Sequence, residues 1–89
     1  MLRLAINGPI YRIIERSGFT RHWEFADSIG MNRTYLSRVA NGELPLPERL
    51  TSYLRDRGYS EAEIVGFQEE QTQLIEARKR MQEAERAAA

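Results

Sequence analysis

The sequence predicts an all-α domain built from four short helices and one long C-terminal helix. Three observations predict it. Gly or Pro interrupts the chain at nearly regular intervals (Gly8-Pro9, Gly18, Gly30, Gly42, Pro45, Pro47, Gly58), leaving helix-length segments between the breaks. Apolar residues inside those segments recur three or four apart, and no alternating segment lies between the helices. From Ser60 to the last residue, only Gly66 breaks the run.

Each element follows from local signals. Met1 to Ile6 sets Leu2, Leu4 and Ile6 against Arg3 and Ala5, which fits either a short strand or a helical lead-in. Pro9 suits the first turn of a helix capped by Asn7 or Gly8, with Ile10, Ile13 and Ile14 on one face and Gly18 as the stop. Thr20 or Arg21 opens a second helix through Ile29, with Phe25, Ala26 and Ile29 inward and Gly30 ending it. Asn32 caps a third, stapled by Met31 and Leu36, which runs to Asn41-Gly42. Pro47 starts a fourth with Leu50, Tyr53 and Leu54 on one face, ended by Gly58. Ser60 to Glu63 reads as a capping box, with Tyr59 and Ile64 as its staple, so the last helix begins there.

Composition narrows the function. Eighty-nine residues hold one small domain with at most one appendage. No cysteine and a single histidine, His22, argue against a disulfide framework, a thiol nucleophile or a zinc site. With no Gly-rich phosphate loop, Ser/His/Asp set or clustered carboxylates, no enzyme, metal or cofactor is expected. The longest apolar run falls far short of the ~20 residues of a membrane helix, and the start lacks a signal peptide's apolar core. A cytoplasmic protein is expected, in a bacterial or phage-infected cell.

The net charge of zero argues against a generic polyanion coat, but it hides an asymmetry. Residues 1–58 carry nine arginines against six acids, whereas residues 59–89 carry four basic groups against seven acids. The division gives a domain at 1–58 and an amphipathic oligomerisation or partner-binding helix at 59–89. Twelve of the thirteen basic residues are arginine, whose planar fork matches phosphates and guanine edges.

Residues 22–41 have a helix-turn-helix layout. Ala26 falls where two helices cross closely, Gly30 fits a tight left-handed turn, and Leu36 and Val39 return to the core. Arg33, Thr34, Ser37 and Arg38 then share an exposed face that holds no acid. Trp23 reads as a partly buried wedge.

Over Ile10 to about Tyr53 the chain resembles the lambda-repressor/Cro-type (Xre-like) helix-turn-helix regulators, through Ile10–Thr20, Phe25–Val39 and Asn41-Gly42. The resemblance implies a third helix in the major groove with Arg33, Thr34, Ser37 and Arg38 facing base edges. By the same match Asn41 would help hold a phosphate. Arg21, His22 and Tyr35 are further phosphate candidates, although His22 also reads as a surface histidine and Tyr35 as a cover for the turn. Two departures stand out. One extra residue lies between Thr20 and Ala26, and Ala40 with Ile14 replaces a Glu–Arg pair common in the family.

The implied function is a sequence-specific transcriptional regulator, acting as a homodimer on palindromic double-stranded DNA. An antitoxin-type or phage packaging or recombination subunit, whose last helix binds another protein or forms a larger oligomer, is the alternative; an adaptor without DNA contact is a third. Ile64, Phe67, Leu74, Ile75 and Met81 approximate one stripe on the last helix, interrupted by Gln71 and Arg78. Left exposed, that stripe would be the dimer's handle; the other possibility is that it folds back onto its own domain.

Overall fold

The computed structural model describes residues 8–88 and places five helices in them: α1 (Pro9–Arg16), α2 (His22–Ser28), α3 (Arg33–Ala40), α4 (Glu48–Asp56) and α5 (Glu61–Ala88). No strand occurs among the described residues. Leu2, Leu4 and Ile6, with the possible cap Asn7, lie outside them. No helix is long and apolar enough to cross a membrane among the described residues.

The start and stop signals act where the sequence places them. Gly8 precedes α1 with Pro9 in its first turn, and Ile10, Ile13 and Ile14 are buried. Arg21 is the residue before α2 and caps it without a side-chain bond, while Phe25 and Ala26 are fully buried. The α2–α3 turn closes on Gly30, whose φ of 69° lies in the left-handed region that a Cβ disfavours. The Met31 amide there donates to the Ala26 carbonyl at 2.8 Å. Asn32 then caps α3, its side chain accepting the Tyr35 N–H at 3.1 Å. At α5 both halves of the capping box form: the Glu63 amide donates to Ser60 Oγ, and the Ser60 amide donates to Glu63 Oε1, each at 3.1 Å.

Helices α1 to α4 hold only seven to nine residues each, too few to enclose an apolar centre unaided. Helix α5 completes the enclosure. Ile64, Phe67 and Leu74 are 1%, 6% and 7% exposed, and Ile64 and Phe67 join the cluster of Ile10, Ile13, Phe25, Leu36, Val39, Leu50 and Leu54. The expectation of an uncovered stripe on a free-standing helix is therefore corrected: the helix folds back onto its own chain. Ile75 is half-buried, and Met81 remains 37% exposed.

The two interruptions of the stripe face inward as well. Positions 64, 67, 71, 74 and 78 step by three and four, so Gln71 and Arg78 occupy the same face as the apolar residues. Gln71 is 1% exposed, and its Nε2 donates to the carbonyls of Val39 (2.7 Å) and Leu44 (2.8 Å). Arg78 Nη1 donates to the Asn41 carbonyl at 3.0 Å. Gln71 adds a second donor to the Val39 carbonyl, which also accepts the Gly42 amide at 3.0 Å, and Arg78 supplies one to the Asn41 carbonyl just past α3. Leu74 packs between them so closely that a Cβ on Gly42 would sit 2.8 Å from its Cγ. Outside this clamp, Arg12 of α1 pairs with Glu70, and Arg55 of α4 with Glu61.

Gly66 lies within α5. A Cβ there would meet nothing within 4 Å.

Candidate functional site

The exposed face of α3 is the candidate site. Arg33 opens the helix directly after its cap, and residues 33, 34, 37 and 38 project together because the helix returns to the same side every three to four residues. Leu36, Val39 and Ala40 are buried on the opposite side and anchor the helix to the core. Ala40 and Ile14 are 1% and 4% exposed members of one apolar cluster. All four expected base-facing residues are exposed.

Arg33 does not extend freely into solvent. Its Nε donates to Asp27 Oδ1 at 3.0 Å and its Nη2 to Asp27 Oδ2 at 2.6 Å, a bidentate pair between the first residue of α3 and an acid of α2. The guanidinium carbon also lies 4.9 Å from the centroid of the Trp23 ring. Trp23 and Asp27 are four residues apart on α2, so one helix face offers both an aromatic surface and a carboxylate to the same arginine. The hydrogen bonds from Arg33 hold the Asp27 carboxyl below its ordinary pKa and raise that of the guanidinium. Trp23 is 43% exposed beneath Arg33, more open than a wedge.

The acid-free character of this face belongs to α3 alone. Asp27 reaches it from α2, and Glu43, from the turn after α3, lies 3.7 Å from Arg38 Nε. Both contacts are solvent-exposed, and the longer one contributes little.

No protein-family model matches the chain, and no curated protein or solved structure matches it. The geometry alone must carry a functional reading.

The phosphate candidates flank α3 without forming a cluster. Arg21 is exposed just before α2, and His22 is half-buried, its ring edge-on to Tyr11 with centroids 4.6 Å apart. Burial raises the Tyr11 hydroxyl pKa. Tyr35 is 42% exposed, and Asn41, half-buried at the end of α3, gives its carbonyl to Arg78. Of the oligomerisation candidates, Ile64, Phe67 and Leu74 are taken up by the core, which leaves Met81 and part of Ile75 at the surface.

Reading the sequence missed four contributors. Asp27 and Trp23 carried a signal in their four-residue spacing on the helix before Arg33. Gln71 and Arg78 carried one in their three-four register with Ile64, Phe67 and Leu74. Polar residues in an otherwise apolar stripe mark backbone acceptors waiting on the other side.

Proposed function

We propose that this chain is a sequence-specific DNA-binding transcriptional regulator, with α2 and α3 forming a helix-turn-helix and α3 entering the major groove. The observation that carries the reading is the exposed quartet Arg33, Thr34, Ser37 and Arg38 on a helix capped at its start by Asn32 and clamped at its end by Gln71 and Arg78. Major-groove readout needs donors and acceptors on a helix whose position is fixed, and arginine is the usual partner of guanine O6 and N7. Asp27 occupies one edge of the Arg33 guanidinium and leaves Nη1 to donate elsewhere.

A second copy on an inverted half-site belongs to the same reading. Its contact cannot be the stripe of Ile64, Phe67 and Leu74, which is core, so pairing would use the distal part of α5 near Met81 or proximity on the DNA itself. Repression by occupying a promoter is the corresponding mode of action.

Selection from a random duplex library, followed by fluorescence anisotropy on the enriched sequence, tests the reading. Arg33→Ala and Arg38→Ala should each weaken specific binding about ten- to hundredfold while nonspecific binding stays nearly unchanged. Equal loss on specific and random DNA would reassign both to phosphates. A protein that enriches no sequence would remove the function.

A further inference from the structure

Helix α5 belongs to a segment with a net excess of acids, yet three of its four basic residues are grouped as Arg78, Lys79 and Arg80. The fold brings two of these beside α3. A surface cleft at the end of α3 is lined by Arg38, Arg78, Lys79 and Gln82, with Glu43 as its one acid among the described residues. Glu69, Glu70, Glu76, Glu83 and Glu85 lie outside it. Arg38 belongs both to this cleft and to the exposed quartet, so the two surfaces are continuous.

The end of a helix carries partial negative charge and would ordinarily repel an anion. Here that end is covered. Gln71 takes the Val39 carbonyl and Arg78 takes the Asn41 carbonyl, so the dipole's negative pole is met by donors from α5. Arg78 makes this single bond through Nη1, and its Nε is buried without an acceptor. Its bond to Asn41 fixes the guanidinium beside the cleft while other Nη donors stay available. Lys79 and Gln82, both exposed, stand next to it.

We propose that this cleft binds the phosphodiester backbone flanking the base pairs read by α3, with Lys79 and Arg78 as the cationic ligands, Gln82 as a neutral donor and Arg38 at its inner edge. This rests on the DNA-binding reading above and extends the footprint from α3 onto α5. Glu76 and Glu83, three residues before and four after Lys79 on α5, bound the cationic patch along the helix.

Phosphate contacts release counterions, so each one adds about 0.9 to the negative slope of log affinity against log salt. The test is anisotropy of the full chain on its selected duplex across a range of sodium chloride concentrations. Lys79→Gln should lower the steepness by about one unit and weaken binding roughly eightfold at 0.1 M salt, equally on specific and random duplexes. Arg86→Gln, two turns farther along α5 and outside the cleft, serves as the control and should leave the slope unchanged. Lys79 is exposed, so folding is preserved and thermal unfolding confirms it. An unchanged slope in Lys79→Gln, or an equal fall in Arg86→Gln, overturns the cleft as a phosphate site while the regulator reading stands. A wild-type chain that binds no duplex at low salt overturns both.

Discussion

At Arg33 two demands compete: the guanidinium proposed to read a base edge is held by the Asp27 carboxylate and lies over the Trp23 ring. The pair removes a cation from the start of α3, where the helix dipole disfavours one, and it reduces the rotamers that Arg33 must give up on binding. Its signature is measurable without DNA. The Asp27 carboxyl is depressed chiefly by its hydrogen bonds from Arg33, so the native state binds that proton less readily than the unfolded chain. Whatever stability the pair contributes is present above the unfolded value of about 3.9 and is lost as pH falls through the lower native value. An NMR titration should find the Asp27 midpoint below the ordinary aspartate value in the wild type and back near that value in Arg33→Ala. A midpoint insensitive to that substitution would mean the pair is not populated in solution.

Among the elements, α5 departs most from what its sequence suggested, and the reason is instructive. The five helices and their caps were legible because local chemistry sets them: Pro9 at a first turn, Asn32 at an N-cap, Ser60 with Glu63 as a box. The exposed quartet of α3 was legible too, since Leu36 and Val39 fix which side faces inward. Which partner covers Ile64, Phe67 and Leu74 depended on tertiary packing, and a stripe reads the same whether its partner is another chain or its own domain. Gln71 held the clue. A polar residue in the stripe suits a specific pair of backbone carbonyls better than a generic apolar seam. Gln71→Met keeps the volume and removes the donor, leaving the Leu44 carbonyl without its Gln71 bond and the Val39 carbonyl with the Gly42 amide alone. Chemical denaturation should show a loss of about 1–3 kcal/mol. An unchanged midpoint would mean that water satisfies these carbonyls equally well.

The described residues span 45 × 26 × 19 Å, the long dimension matching the roughly 42 Å of a 28-residue helix. The division into a DNA-binding domain at 1–58 and an appendage at 59–89 therefore does not describe two independently stable parts, because the first half of α5 supplies Ile64, Phe67, Gln71 and Leu74 to the interior. Deleting residues 61–89 should abolish cooperative unfolding by circular dichroism. Deleting residues 82–89, all beyond the clamp on α3, should preserve a sharp transition within a few degrees of the full chain. A folded monomer from the longer deletion would restore the appendage view.

The sole tryptophan of the chain is Trp23, half-open to solvent beneath the guanidinium of Arg33. This places the chain's tryptophan fluorophore at the junction of α2 and α3. Ring emission depends on nearby charge and water, so withdrawing Arg33 toward a base, or protonating Asp27, changes intensity and wavelength at a single identifiable position. If the proposed regulator binds a duplex through Arg33, that binding can be followed on the unlabelled protein as a change in Trp23 emission, and emission that stays constant at saturation would place Arg33 outside the contact.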